Sequence, residues 1–79
     1  MLIPAKHITF SESLLGLGSY VLSALDTPQT LDEIWIKYQE DISHDEDSFK
    51  HSFDNLTLTI IFLYSIGKVI EQNGKLEKV

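Results

Sequence analysis

The stretch that decides the fold is "IGKVIEQNGKLEKV", Ile66 to Val79. Gly67 stands where an apolar helix runs out and supplies the left-handed backbone a helix end accommodates. The remainder brackets Asn73-Gly74, the dipeptide most favoured in a β-hairpin turn. Two registers compete. A two-residue loop pairs Ile70 with Glu77 and Glu71 with Leu76, mixing apolar and charged neighbours. A three-residue loop over Gln72, Asn73 and Gly74, with Gly74 at the bulge, pairs Ile70 with Leu76 and Glu71 with Lys75. Like beside like favours the second register. A lone hairpin is marginal in water, so Ile70 and Leu76 are expected to rest on helices.

Upstream, the spacing predicts three helices. Ser11 suits an N-cap, Glu12 suits the positive end of the helix dipole, and Leu14, Leu17, Gly18, Val21, Leu22 and Leu25 recur at helical intervals. Pro28 ends that run. Thr30 and Glu33 form a capping-box pattern ahead of a second helix striped by Leu31, Ile34, Trp35 and Tyr38 and ending near Asp41. Phe49, Phe53, Leu56, Ile60 and Leu63 step by four and three along a third, the longest, with the acids of "SHDEDS" leading into it. Residues 1–10 read as an extended arm, because Pro4 removes a donor and Ile8, Thr9 and Phe10 favour strand; "ITF" is a candidate third strand or a wrap on the first helix. The expectation is one domain over residues 1–79, mainly α with a small β-hairpin, in a winged helix-turn-helix plan.

Composition removes several functions. A chain of 79 residues buries only roughly 60% of its unfolded surface, so it needs stabilising from elsewhere. It has no cysteine, which excludes disulfides and thiolate zinc sites and leaves a partner chain as the leading stabiliser. The absence fits a reducing, cytoplasmic setting. The start, "MLIPAKHITF", lacks a signal peptide's apolar run and cleavage site. The most apolar segment, Leu56 to Ile66, has 11 residues against the roughly 20 of a membrane span. No membrane association is expected. Twelve acidic residues against six basic give a net charge of −6, without arginine and with scattered lysines, so direct nucleic-acid binding is disfavoured.

Four constellations bear on chemistry. Gly16-Leu17-Gly18 is not a phosphate loop: Val21 occupies the third glycine's place and the Lys-Ser/Thr of a P-loop is missing. Each helical glycine costs about 1 kcal/mol relative to alanine, so the pair serves either close internal packing or a partner groove. Gly18, on the apolar face, suits internal packing. Gly16 falls in a stripe with Glu12, Ser19 and Ser23, flanked by Leu15 and Leu22, and suits docking. His44, Asp45, Asp47 and His51 offer a possible Asp47–His51 pair but no set of three or four ligands; no metal or other cofactor is expected, and solvated histidines are the simpler reading. No nucleophile elbow or catalytic spacing is present, and a chain of this size leaves little room for a supported pocket, so no enzyme is expected. Trp35, Phe49, Phe53, Phe62 and Tyr64 read mostly as core. Leu58, Phe62 and Ile66, however, give the third helix a second apolar face that two shorter helices need not cover, and an uncovered patch marks a protein interface.

Pro4 and Lys6 are followed by Ser11, Ser13, Gly16, Leu17 and Gly18 in "SESLLGLG", the most specific block of the chain. Then come "TLDEIW" (Thr30 to Trp35), Phe49, Phe53, "FLYSIGKVI" (Phe62 to Ile70) and the Gly74-x-Leu76 turn. Through these residues nearly the whole chain resembles the middle component 6 family of ABC-three-component systems, small bacterial proteins. The resemblance implies an accessory subunit encoded between an SMC-like ABC ATPase and an effector, in systems acting against phages and plasmids. The small component would be an adaptor joining the two proteins, within an oligomeric complex. Together with the residue reading, the partner-binding positions expected are Glu12, Gly16, Ser19, Ser23, Leu58 and Phe62.

Two other readings remain open from sequence. A winged-helix transcription regulator would present Lys50, His51, Asn55, Lys75 and Lys78 to DNA, against the opposing charges of Asp47 and Asp54. A free-standing antitoxin or inhibitor would use its acidic surface as a DNA mimic.

Overall fold

A computed structural model describes residues 14–44 and 50–79. The elements run α1 (Leu14–Ala24), α2 (Leu31–Ile42), α3 (Phe53–Ser65), β1 (Val69–Gln72) and β2 (Lys75–Lys78). This is the mainly helical plan with a C-terminal hairpin that the spacing predicts, and it is compatible with a winged-helix-like arrangement. The expected Ser11 cap, the arm over 1–10 with its "ITF" strand, and Phe49 lie outside the described residues.

Local chemistry sets most boundaries. Thr30 Oγ1 accepts from the Glu33 amide at 3.1 Å while the Thr30 amide donates to Glu33 Oε1 at 2.8 Å, closing the capping box of α2. The start of α3 differs from the expected one. Ser52 is its N-cap, accepting from the Asn55 amide at 3.1 Å, and the His51 amide donates instead to the Tyr38 hydroxyl at 2.8 Å. That tie to α2 holds Lys50 and His51 ahead of the helix, so apolar spacing from Phe49 overextends it. At the other end Gly67 sits at φ 78°. Lys68 N–H reaches the Leu63 carbonyl at 2.9 Å and Gly67 N–H the Tyr64 carbonyl at 3.1 Å, which is the paired bonding of a Schellman cap.

The hairpin adopts the register that like-with-like pairing disfavours. Ile70 faces Glu77 and Glu71 faces Leu76, around a two-residue loop. Asn73 and Gly74 have φ of 55° and 81°, both left-handed, a turn whose twist matches that of the strands. Glu71 Oε2 accepts from the Gly74 amide at 3.0 Å. The physical reason lies in Val69. Directly opposite residues share a face, so this register sets Val69 and Leu76 on the same side, and the three-residue loop would separate them. Val69 is 1% exposed and Leu76 packs against the core, whereas Ile70 stays outside at 36% exposure. Val69 with Leu76, and not Ile70, therefore anchors the wing.

A third strand position comes from between α1 and α2, at Gln29. Its amide donates to the Leu76 carbonyl at 3.1 Å, and the Leu76 amide returns the bond at 2.7 Å. The Gln29 side-chain amide donates to the Ala24 carbonyl at the end of α1. The chain order is then helix, short strand, two helices and hairpin, with β2 between Gln29 and β1.

The core joins Leu17, Val21 and Leu25 of the α1 run to Ile34 and Tyr38 of α2, Leu56, Ile60 and Leu63 of α3, and Val69. An aromatic chain ties the helices together. Tyr20 meets Tyr38 edge-on at 5.5 Å, Tyr38 stacks on Trp35 at 5.8 Å, and Trp35 meets Phe53 edge-on at 5.4 Å.

Val69→Ala is expected to lower stability by about 2 kcal/mol in urea denaturation, and Ile70→Ala by less than about 0.5. The reverse order would restore the three-residue register.

Candidate protein-interaction face

One side of α3 belongs to the core through Leu56, Thr59, Ile60 and Leu63. The β-branched hydroxyl is accommodated there because Thr59 Oγ1 donates back to the Asn55 carbonyl at 2.8 Å. The opposite side is also apolar and is left uncovered. Leu58 and Ile61 are each 55% exposed and Phe62 is 52% exposed, with Tyr64 exposed alongside. Tyr64 is therefore a surface group and not a core aromatic, while Phe62 lies on the second apolar face that the spacing sets apart. Asp54 is the helix's only charged residue.

The entry of α1 widens this surface. Leu14 and Leu15, both exposed, meet Leu58, Thr59 and Phe62 around a recess of about 220 Å³. Cavities that hold small molecules run to roughly 300–1,000 Å³, so this one fits an apolar side chain better than a ligand. The groove continues between Ser19 and Leu22 of α1 and Phe62 and Ile66 of α3, and ends at Lys68. Gly18 forms its floor. A methyl group at Gly18 would sit 3.7 Å from Thr59 Cγ2 and 3.8 Å from Leu63 Cδ2, so there is room for that group and little more.

Of the expected docking positions, the structure brings Ser19, Leu58 and Phe62 to this one groove. Ser23 is exposed, and its hydroxyl donates to the Tyr20 carbonyl at 2.8 Å. Gly16 is buried on another side of α1, at a recess lined by Tyr20 and by Tyr38, Asp41 and Ile42 of α2. Glu12 lies outside the described residues. Leu14, Leu15 and Ile61 were missed; the signals available were adjacent leucines that cannot both face one core, and Ile61 three residues past Leu58.

The two histidines among the described residues do not gather into a metal-ligating group. His44 is exposed at the end of α2, while His51 is buried, its Nδ1 3.1 Å from Asn55 Nδ2. Burial corrects the solvated reading of His51 and removes it from the surface a DNA reader would present. Asp45 and Asp47 lie outside the described residues, among which no group of three metal-ligating side chains assembles. No helix of the described residues is long and apolar enough to cross a membrane.

The middle component 6 family of ABC-three-component systems matches residues 3–79. The chain belongs to that family. No curated protein and no solved structure matches it. A middle component is one part of a multi-component system, which is consistent with an accessory role among partner proteins.

Beside the Gly16 recess, the Tyr20 hydroxyl donates to Asp41 Oδ2 at 2.6 Å and links α1 to α2. Burial, then the hydrogen bond to Asp41 and its negative charge, raise the phenol above its ordinary value of 10.0. The folded state thus holds the Tyr20 proton more tightly than the unfolded chain. Its contribution to stability is fully present below pH 10 and declines as pH rises further. Tyr20→Phe is expected to flatten the fall of unfolding free energy above pH 10, measured by urea titrations at stepped pH. An unchanged alkaline slope would remove the linkage.

Proposed function

We propose that this chain is a non-catalytic adaptor, tying an SMC-like ABC ATPase to an effector protein in a cytoplasmic bacterial complex that defends against phages and plasmids. The observation that supports this reading best is the outward side of α3. In a winged-helix plan that helix is the one offered to DNA, and here it presents Leu58, Ile61 and Phe62 with one aspartate and no lysine. Such a surface cannot neutralise phosphates, and a protein partner would desolvate it favourably. We assign the contact to the groove of Leu14, Leu15, Ser19, Leu58 and Phe62, and keep the exposed Ser23 as a further position of this proposal. Glu12 and Gly16 remain positions of this proposal on the family's most specific block, with Gly16 acting through the fit of α1 on α2.

A transcription-regulator reading has only the winged plan behind it. Lys78 already lies 3.9 Å from Asp26, His51 is buried, and the chain's net charge is −6.

The test is co-expression with the neighbouring ATPase and effector, followed by capture on a tagged middle component. Phe62→Glu and Leu58→Glu alter half-exposed side chains, so circular dichroism is expected to stay unchanged while affinity for a partner falls about 30-fold, as for an interface hot spot. Undiminished capture by both variants would refute this contact surface.

A further inference from the structure

The recess on the α2 side of α1 has a chemistry the adaptor reading does not use. Gly16, Leu17 and Tyr20, in the first two turns of α1, meet Tyr38, Asp41 and Ile42 near the end of α2 around about 180 Å³. The walls are chiefly apolar, and the space suits one or two side chains better than a small ligand. Its rim is acidic. α2 closes on Glu40 and Asp41 with no basic residue in its last turn, so two carboxylates stand at the negative end of the helix dipole. Lys37 approaches Asp41 at 3.9 Å with both side chains about half exposed, which offsets little of that. The recess therefore calls for apolar side chains with a cation beside them.

We propose that the occupant is the chain's own N-terminal arm, residues 1–10, with Ile8 and Phe10 seated against Tyr20, Tyr38 and Ile42 and Lys6 set on the carboxylates of Glu40 and Asp41. The arm's reach fits. An extended chain advances at most about 3.6 Å per residue, so Phe10 can stand up to about 14 Å from Leu14, and Gly16 is only about 3 Å further along the helix axis. Its pattern fits as well. Ile8 and Phe10 are two residues apart, the spacing that puts both side chains on one face of an extended segment. Charge selects this side of α1 over the other. The arm carries Lys6 and no acid, whereas all twelve acidic residues follow it. The groove between α1 and α3 ends at Lys68, which repels the arm's lysine, while the recess ends at Asp41. Docked there, the arm adds apolar burial to a chain too short to bury much alone and leaves the groove at Leu15 and Phe62 open to a partner protein.

Nuclear Overhauser spectra of the full chain, isotope-labelled and without partners, test this. Contacts are expected from the Phe10 ring to Tyr20, Tyr38 or Ile42. Contacts to Leu58 and Phe62 instead would put the arm in the groove, and none at all would leave the recess to a second protein; either result overturns the proposal. Chymotryptic cleavage after Phe10 gives a second readout. Lys6→Glu should speed it about fivefold, the scale of an exposed ion pair, relative to the same change in a free peptide of residues 1–13. The circular dichroism spectrum should stay unchanged. A cleavage rate indifferent to Lys6→Glu would also overturn the proposal. The adaptor contact is read from Phe62→Glu and Leu58→Glu, outside this recess, so the two proposals fail separately.

Discussion

The constraint on which the structure depends is the apolar circumference of α3. Its thirteen residues bury Leu56, Thr59, Ile60 and Leu63 beneath the other elements and still carry Leu58, Ile61 and Phe62 outward. Two shorter helices and a hairpin of two four-residue strands cannot enclose a helix from all sides. The rest of the fold is arranged to cover one side well. Gly18 of α1 lies over Thr59 and Leu63, the Tyr38 hydroxyl draws the His51 amide in, and the Schellman cap turns the chain so that Val69 returns to the core.

What remains uncovered then carries the functional argument. Large contiguous apolar patches are uncommon on proteins that act alone. Here the patch occupies the helix position where a DNA-reading relative of the plan would need cations, and Asp54 stands in it instead. Membership in a middle-component family agrees with that chemistry from an independent direction, since such a component works among other proteins.

Much of this was legible in the sequence. The capping box at Thr30 and Glu33, the glycine stop at Gly67 and the second apolar face of α3 follow from local rules and from counting apolar positions around a helix. The misreadings have a common cause. Pairs beside the turn favour one hairpin register, while Val69, further from the turn and wholly buried, decides which faces lie together. Likewise the Phe49 spacing favours an earlier start for α3, while a hydroxyl on α2 claims the His51 amide. The third strand came from Gln29, a single polar residue whose backbone pairing leaves no periodic signal. Gly16 and Ser19 share a stripe on a helical wheel yet face different recesses, because neighbouring helices approach α1 from two sides. Each misreading is a tertiary contact overruling a local pattern.

The most direct measurement of the central claim is radical footprinting of Phe62, in the isolated chain and in the assembled three-component system, with half-buried Trp35 as the internal reference. The account predicts a Phe62 that is oxidised readily in isolation and protected on assembly, while Trp35 changes little. Equal reactivity of Phe62 in both states would contradict it.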